Sequence, residues 1–392
     1  MDNNYSLDLS SLSKELRLLL EILKTEDYES IGLIKKELYI DIDWVEFLQL
    51  AWHHRVYPLI YSKLKKVDDN RIPAYVIQTL FKEFKKNTIQ MLHLSGEMEL
   101  VSELFTKNQI RLLYLKGPVI AADIYGDISL RTSKDLDILI SITDLNKAEE
   151  LLLSLGYEKE VVPNVLNEWK WRSHHVVYLH PQKNIQLEIH WRLQPFPMKE
   201  PKFSELWERK RVSPLTSYPV YFLGKEDLLL YLISHGARHG WFRLRWLLDI
   251  DQMLRKGFKL QDINPFISKY KNRKLVGQAL ILVSELLKTH MDEGWRKLTE
   301  SDSKKIAQNA LEFIKGTEPL TESLTSNMPS KYYKHYTFSL KSNLQRFFFF
   351  LTLFYPTSAE LLTLRIPKPL HFLYFPLRPF LWVWRKTRKL HK

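Results

Sequence analysis

The chain has 392 residues, of which 45% are hydrophobic and 26% are charged, a composition typical of a folded globular protein. It contains no cysteine, which excludes disulfide bonds, thiolate metal sites and a cysteine nucleophile. Of its net charge of +13, +11 lies in residues 323–392, which contain twelve Lys and Arg and one acidic residue, Glu360. This segment predicts a polyanion as partner: nucleic acid, an anionic membrane surface or a phosphorylated substrate.

The amino terminus lacks the basic region and the apolar stretch of an export signal. The longest apolar run, residues 347–355, has about half of the ~20 residues that a membrane-spanning helix needs. We therefore expect a cytoplasmic protein without a transmembrane segment. Its basic carboxyl end could still bind peripherally to the inner face of the membrane.

The hydrophobic pattern divides the chain into four regions. Residues 1–95 have helical periodicity, and residues 96–200 mix strand and helix patterns, which predicts a compact α/β core. Helical periodicity returns in residues 201–330. Residues 331–392 form a basic, aromatic tail whose five prolines predict an extended, irregular conformation. The expected fold class is α+β, with a small mixed sheet between helical regions.

The α/β core has a recognisable order of elements. Proline at a helix start, glycine at a helix end and short apolar runs indicate these elements. The predicted elements are, in order, a strand over 112–115, a turn at Lys116-Gly117, a helix over 118–125, a strand in RTSKDLDILI at 131–140, a helix over 145–155 ended by Gly156, and a hairpin of strands over 176–179 and 185–189.

Three carboxylates of this core are candidates for metal binding. Asp135 and Asp137 are separated by one leucine on a predicted strand, so both side chains project from the same side. Two adjacent carboxylates repel each other unless a cation lies between them, and hard oxygen ligands suit Mg²⁺. Glu188 lies in another predicted strand that could be adjacent to theirs, and His190 is on the same face as Glu188.

A turn in the same core is a candidate for phosphate binding. Lys116-Gly117 lies between a strand and the amino end of a helix, where free N–H groups and the helix dipole favour anions. Phosphoryl or nucleotidyl transfer from a nucleoside triphosphate needs such a phosphate contact together with two metal ions. The combination predicts this type of chemistry.

The order of these motifs resembles a known family. LKGPVIAADIYGDISLRTSKDLDILI followed by LEIHWRL is similar to the uncharacterised nucleotidyltransferase family of the polymerase β-like superfamily, whose pattern is Lys-Gly, Arg, Asp-x-Asp and then a carboxylate-x-His. The resemblance covers roughly residues 95–260, since HGARHGWFRLRWLLDI at 235–250 also looks like that family's helical segment. The tail, which contains LRP at 377–379, is a fainter match.

The resemblance implies a role for each matching residue. Asp135, Asp137 and Glu188 would be the catalytic ligands of two Mg²⁺ or Mn²⁺ ions, with a nucleoside triphosphate such as ATP as substrate. The implied nucleotide contacts are Lys116, Gly117, Arg131, Ser133 and His190. In the wider superfamily a glycine-serine pair usually holds the phosphates, and Lys116-Gly117 replaces it here, as in the abortive-infection toxin branch. The family is mostly bacterial, and its gene neighbourhoods suggest a small-molecule, glycan or peptide acceptor.

Other interpretations of these residues stay open at this stage. The enzyme could instead modify tRNA as a toxin-like nucleotidyltransferase, transfer the γ-phosphoryl group as a kinase, or bind nucleotide without catalysis and dock a partner or membrane. Arg131 could form a scaffold ion pair with Asp127 or Asp135. His235 and His239 are four residues apart on a predicted helix, but Gly236 replaces the glutamate of a zinc protease motif, so packing or a nucleotide contact is favoured over zinc.

Overall fold

The computed structural model describes residues 6–26, 29–66, 70–160, 166, 173–316 and 330–390. Residues 391–392 of the predicted tail lie outside the described residues. The fold is α+β, as predicted: a seven-stranded mixed sheet lies between helical regions. Its strands are β1 (Leu112–Tyr114), β2 (Asp135–Ile140), β3 (Glu158–Lys159), β4 (His175–His180), β5 (Ile185–His190), β6 (Arg211–Ser213) and β7 (Val220–Phe222).

The amino-terminal region is helical, as its periodicity predicted. Its helices are α1 (Lys14–Lys24), α2 (Glu29–Gly32), α3 (Trp44–His53), α4 (Tyr57–Leu64) and α5 (Ala74–Lys107). The helix expected after Pro73 is a single element of 34 residues. It packs on the sheet, where the Tyr114 hydroxyl donates to the Met98 carbonyl oxygen at 2.8 Å. This helix therefore covers one face of β1.

The order of strands in the sheet is β3-β4-β5-β2-β1-β7-β6. The hairpin of β4 and β5 is antiparallel, as predicted, and β5 lies parallel to β2. Helices α6 (Pro118–Tyr125) and α7 (Leu145–Ser154) connect the first strands, at the predicted positions. The parallel pair of β2 and β5 places two motifs that are about fifty residues apart on neighbouring strands.

The sheet also contains strands that the sequence did not indicate. After α8 (Phe203–Glu208), β6 and β7 form an antiparallel hairpin, and β7 pairs in parallel with β1. Each of these two strands has three residues, which is too short for a clear alternating pattern. The sheet therefore extends beyond residue 200, into the segment for which helices were expected.

The following region is helical, as expected. Its elements are α9 (Lys225–Arg238), α10 (Leu244–Arg255), α11 (Leu260–Tyr270), α12 (Arg273–Leu287), α13 (Glu293–Arg296) and α14 (Ser301–Lys315). A close approach fixes the turn between α9 and α10, because a Cβ atom on Gly236 would lie 2.2 Å from the Trp241 ring. Only glycine fits at this position, so α9 and its following loop can pack tightly.

The prediction of an extended, irregular tail was wrong. The described tail residues form α15 (Ser330–Ser339), α16 (Asn343–Thr352), α17 (Ser358–Thr363) and α18 (Tyr374–Leu390), with a 3₁₀ helix over Lys368–Leu373. Most of the prolines precede a helix or lie in its first turn, where their missing N–H has no intrahelical partner to lose. Pro379 is the exception inside α18. Among the described residues no helix is both long and apolar enough to cross a membrane.

Candidate active site

The candidate site lies where β2 and β5 run side by side. In the parallel register Asp137 is opposite Glu188, Asp135 is opposite Gln186, and Leu139 is opposite His190. Residues that are opposite each other on neighbouring strands point to the same face of a sheet, and alternate residues share that face. The register therefore brings Asp135, Asp137, Glu188 and His190 to one face, with the strands adjacent as the sequence predicted.

Asp137 is the buried centre of this group. Its side chain is fully buried, and its Oδ1 atom lies 3.0 Å from Lys116 Nζ and 3.1 Å from His190 Nε2. Its other oxygen, Oδ2, is buried and has no hydrogen-bond partner among the described residues. A buried carboxylate oxygen without a donor is costly, so Oδ2 is well suited to bind a cation.

The charges around Asp137 keep it ionised. Burial would raise the pKa of the Asp137 carboxyl, but the Lys116 ammonium and the His190 imidazole outweigh burial and hold this pKa below its usual range. Burial likewise opposes the charge of Lys116, yet Asp137 raises the pKa of this ammonium above its usual value. Both partners are therefore charged at neutral pH.

Glu188 is the more accessible of the two paired carboxylates. Its side chain is 17% exposed, its Oε2 atom lies 3.3 Å from His190 Nε2, and its Oε1 atom accepts a hydrogen bond from Gln186 at 3.0 Å. Burial raises the pKa of Glu188, but the hydrogen bond with His190 is part of an environment that leaves it below the usual value. Glu188 is thus an ionised carboxylate that a ligand can reach.

Asp135 has a different environment. Its side chain is partly exposed and, among the described residues, it has no hydrogen bond or ion pair. Burial and the charge of Asp137 raise the pKa of its carboxyl. An acid with a raised pKa and no partner gains most from a cation, because a cation removes the repulsion between the two aspartates.

The donor atoms present fit a divalent metal ion. One ligand atom each from Asp137, Glu188 and His190 lies within 4.8 Å of the others, and Asp135 does not belong to this group. The carboxylates of Asp137 and Glu188 suit Mg²⁺ or Mn²⁺, and the buried Oδ2 of Asp137 has no hydrogen bond among the described residues that would compete with a metal ion. His190 Nε2 lies within hydrogen-bond distance of both carboxylates and would bind a metal ion only after losing its proton. His174, His175 and His190 form a second possible group of metal ligands, which shares His190 with the first.

Gly117 places the Lys116-Gly117 turn beside the first aspartate of β2. Its backbone has φ +96° and ψ −155°, a conformation open to glycine and strained for other residues. A Cβ atom there would lie 3.9 Å from the Asp135 carbonyl oxygen, so the turn is next to the start of β2. Since α6 begins at Pro118, the free N–H groups of its first turn lie at the same end of the strand.

Two of the predicted nucleotide contacts have other partners. Arg131 is 1% exposed, and its guanidinium bonds to both carboxylate oxygens of Asp249 on α10, with the shortest distance 2.9 Å. It therefore pairs with neither Asp127 nor Asp135, and this geometry favours a scaffold role. Ser133 is buried, and its hydroxyl donates to the Asp135 carbonyl oxygen at 3.1 Å, which stabilises the turn before β2.

His235 and His239 are packing residues in this structure. Their ring centroids are 4.7 Å apart, and both lie against Trp246, at 5.3 and 5.4 Å. Burial lowers the pKa of both imidazoles well below the usual value. Neither belongs to a possible metal group within the described residues, so the packing interpretation is favoured over zinc.

Sequence reasoning missed several residues around the site. Arg238 on α9 donates to His174 at 3.1 Å and to His235 at 3.3 Å, and its Nε atom is buried without a hydrogen-bond partner among the described residues. The charges of Glu188 and Asp137 also act on it. Arg238 lies within the HGARHG motif, and among the described residues it forms no ion pair with a carboxylate, which makes it a candidate phosphate contact. The sequence does not show this, because it depends on the tertiary structure.

Comparison with known proteins completes the description of the site. No curated protein matches the sequence significantly. Among solved structures, the chain is similar to an antigenic nucleotidyltransferase-like protein from Paracoccidioides brasiliensis, with 14% identity, a TM-score of 0.29, and coverage of 51% of this chain and 94% of that chain. A sequence profile described as "Uncharacterised nucleotidyltransferase" matches residues 41–288, more than half of the chain, and the protein therefore belongs to this family.

Proposed function

We propose that the protein transfers a nucleoside monophosphate group from a nucleoside triphosphate to an acceptor hydroxyl or phosphate and releases pyrophosphate. The observation that carries this proposal is the register that sets Glu188 beside Asp137, next to the Lys116-Gly117 turn. Carboxylates for metal ions and a cationic turn for phosphates are the two parts that this chemistry requires.

The proposed reaction is an in-line displacement at the α-phosphorus. The acceptor oxygen forms a bond to this phosphorus while the bond from phosphorus to the oxygen bridging the α- and β-phosphates breaks. That oxygen leaves with pyrophosphate, and the acceptor proton passes to a base. Two Mg²⁺ or Mn²⁺ ions, when bound by Asp135, Asp137 and Glu188, would neutralise phosphate charge and lower the pKa of the acceptor hydroxyl.

The surroundings of each side chain favour a particular role for it in the proposed reaction. Asp137 is held rigidly by Lys116 and His190, which suits a residue that must fix a ligand in one position. Glu188 is ionised and accessible, so it can accept the acceptor proton directly or through water. Gly117 allows the phosphates to approach the backbone N–H groups of α6 closely.

The acceptor would approach from the side of Glu188, the exposed member of the carboxylate pair. A small molecule, glycan or peptide is the proposed acceptor class. The use of nucleoside triphosphates assigns the reaction to the cytoplasm, where these substrates are made. Binding of ATP is part of the same proposal, and ATP is one of the four nucleoside triphosphates to be compared as donors.

The test is a transfer assay with nucleoside triphosphates labelled at the α- or the γ-phosphate. The purified protein is incubated with each triphosphate, Mg²⁺ or Mn²⁺, and pools of metabolites, glycans, peptides or RNA. Label from the α-position should enter a product, and pyrophosphate should be released. Asp137→Asn should reduce transfer by roughly 10³-fold or more, since metal ions contribute several kcal/mol at the transition state and each 1.4 kcal/mol is a factor of ten. Asp137→Ala should abolish transfer.

A matched control and the contrary outcomes make this test decisive. Asp262→Asn removes an exposed carboxylate from the first turn of α11 and should leave transfer unchanged. Retained transfer in Asp137→Asn would remove Asp137 from the mechanism. Label from the γ-position in product would indicate a kinase, and labelled tRNA would indicate a toxin-like enzyme. Triphosphate binding without turnover on any acceptor pool would favour a binding protein.

A further inference from the structure

We propose that Arg55, Lys134 and Arg243 form a cationic cluster that binds the β- and γ-phosphates of the donor beside Asp135. Arg55 lies in the amino-terminal helical region, Lys134 in the loop before β2, and Arg243 in the segment between α9 and α10. The assignment of its ligand as a donor triphosphate rests on the proposed function. Polyphosphate binding itself can be tested separately.

Hydrogen bonds fix the position of the two arginines. The His54 carbonyl oxygen accepts a hydrogen bond from the Arg245 backbone N–H at 3.2 Å, and His54 Nδ1 accepts one from the Leu244 N–H at 3.3 Å. These bonds hold the end of α3 against the start of α10. Arg55 and Arg243, each next to a bonded residue, are therefore brought to the same place by the backbone.

A second set of bonds brings the loop before β2 to this position. The Arg245 guanidinium donates to the Thr132 carbonyl oxygen and, at 2.9 Å, to the Thr132 hydroxyl. Lys134 and Asp135 follow directly in the chain, with Asp135 at the start of β2. Three segments of the chain thus converge next to the unpartnered aspartate.

The cluster lacks anionic partners. Among the described residues, Arg55, Lys134 and Arg243 form no ion pair with a carboxylate, and Arg243 Nε is buried without a hydrogen bond. Arg131, in the same loop as Lys134, shows the contrast, because it is paired with Asp249. Three cations close together repel one another, and a polyanion removes this repulsion and satisfies their donors.

The titration behaviour agrees with this geometry. Burial and the charge of Arg55 lower the pKa of Arg243 to about 10, while Asp135 opposes this shift. A cation whose pKa is lowered by a neighbouring cation gains stability from an anion, and phosphate groups with several negative charges are the strongest common candidates.

Calorimetry with sodium tripolyphosphate tests the cluster without catalysis. Wild-type protein should bind tripolyphosphate, and the double variant Arg55→Gln, Arg243→Gln should bind it at least about 100-fold more weakly, since each charged hydrogen bond contributes about tenfold or more. Lys134→Gln removes an exposed side chain, leaves the fold undisturbed and should weaken binding about tenfold. Arg296→Gln, an exposed arginine on α13, is the matched control and should bind as the wild type does.

The outcomes separate the cluster from the proposed function. The cluster proposal is overturned if wild type does not bind tripolyphosphate, or if Lys134→Gln and the double variant bind it unchanged. If the double variant does not fold, Lys134→Gln decides alone. If binding depends on the cluster but no triphosphate is turned over, the anion site stands and the transferase proposal fails.

We also infer, from a different observation, that the surface of α16, α17 and α18 binds an anionic lipid bilayer. The described large apolar side chains that are exposed are concentrated in residues 344–384, which hold more than half of them. Phe354, Leu362 and Phe380 are 71%, 69% and 72% exposed. So much exposed apolar surface in one segment of the chain is typical of an interaction site.

The charge of this region selects the partner. Glu360 is the only acidic residue in residues 323–392, and it is fully buried in an ion pair with Arg385 at 2.6 Å. The surface therefore presents cations and apolar rings together, the combination that favours an anionic bilayer interface. Since no described helix can cross a membrane, the helices would lie on the bilayer surface.

Vesicle sedimentation tests this second inference. Wild type should bind vesicles of 30% phosphatidylglycerol in phosphatidylcholine and bind pure phosphatidylcholine at least tenfold more weakly. The triple variant Phe354→Ser, Leu362→Ser, Phe380→Ser should lose binding, whereas Leu33→Ser, which changes a leucine elsewhere that is 83% exposed, should not. Equal binding by the triple variant contradicts the inference. The inference is also contradicted if the wild type binds no vesicles and is a dimer that the triple substitution converts to a monomer.

Discussion

The two aspartates of β2 share one face of the sheet, but their surroundings differ. Asp137 is fully buried, and Lys116 and His190 balance its charge, whereas Asp135 is partly exposed and its carboxylate has no hydrogen bond or ion pair among the described residues. The Asp137 side is therefore a closed network of side chains from adjacent elements. The Asp135 side carries an unbalanced group of charges, which a metal ion and an anion together would complete.

The two sides also differ in how far apart their residues are in the chain. On the Asp137 side, Glu188 and His190 come from the neighbouring strand, and Lys116 follows β1. On the Asp135 side, the arginines come from the two helical regions. Precise placement of Asp137 thus depends on the sheet, while binding on the other side depends on how the helical regions pack against it.

The largest expected change in stability comes from breaking the ion pair that fixes the loop before both aspartates. Asp249→Asn leaves the buried Arg131 charge without its partner and should lower the free energy of unfolding by about 3–5 kcal/mol. The control is Asp123→Asn, because its pair with Arg211 is partly exposed and should cost about 1 kcal/mol or less. Urea unfolding measures both. Equal losses in the two variants would contradict the scaffold role of Arg131.

Much of the Asp137 side was predictable from the sequence. Asp-x-Asp on an alternating strand, a carboxylate two residues before His190, and Lys-Gly before a helix are local signals, because strand and helix periodicity fix which side chains share a face. The register between β2 and β5 is not local, since it depends on contacts between strands that are distant in the chain.

The Asp135 side could not be predicted in the same way. Arginine and lysine are common on protein surfaces, and nothing in the residues around Arg55 or Arg243 indicates that no carboxylate pairs with them. That property results from the packing of α3, α10 and the loop before β2. Arg131 is the opposite case, because it does pair with a carboxylate. Its partner Asp249 is 118 residues away in the chain, so the sequence does not reveal the pair either. The prediction for the tail was wrong because proline disrupts a helix only in its interior, and most of these prolines precede a helix or lie in its first turn.

A direct comparison of the two aspartates should separate their roles in the metal-free protein. Asp137→Asn removes the charge that balances Lys116 and His190 and should lower the free energy of unfolding by about 3 kcal/mol. Asp135→Asn removes a repulsion and should leave stability unchanged or slightly higher. Urea unfolding with a chelator present measures this difference. A loss in Asp135→Asn as large as in Asp137→Asn would show that Asp135 has a stabilising partner.

A smaller loss of stability is expected from a substitution in the turn between the Asp137 side and the Asp135 side. Gly117→Ala should lower the free energy of unfolding by about 1–3 kcal/mol, because φ is +96° there and a side chain makes this conformation strained. The added Cβ atom would be 3.6 Å from Leu136 Cδ2, an ordinary contact, so the cost comes from the backbone. Gly32→Ala is the control, since nothing lies within 4 Å of its Cβ position. Thermal unfolding should show a shift for Gly117→Ala alone.

The smallest expected change in stability concerns His54, whose hydrogen bonds bring Arg55 and Arg243 together. His54 is fully buried, and burial lowers its pKa well below the usual value, so the folded protein keeps it neutral. The unfolded chain binds a proton near its ordinary pKa of about 6.5, so stability falls as the pH decreases below this value, by up to about 1.4 kcal/mol per pH unit for this residue. Other buried histidines, such as His235, contribute in the same direction.

His54→Asn should make the pH dependence of stability shallower, because the asparagine oxygen can accept the Leu244 N–H bond without titrating. Urea unfolding at pH 7 and pH 5 measures the slope for wild type and variant. The control is His93→Asn, which replaces a solvent-exposed imidazole on α5 and should not alter the slope of stability against pH. If His54→Asn keeps the wild-type slope, His54 is protonated in the folded protein. A protonated imidazole donates from both nitrogens and cannot accept the Leu244 N–H bond, so the Asp135 side would need a different explanation for the position of its arginines.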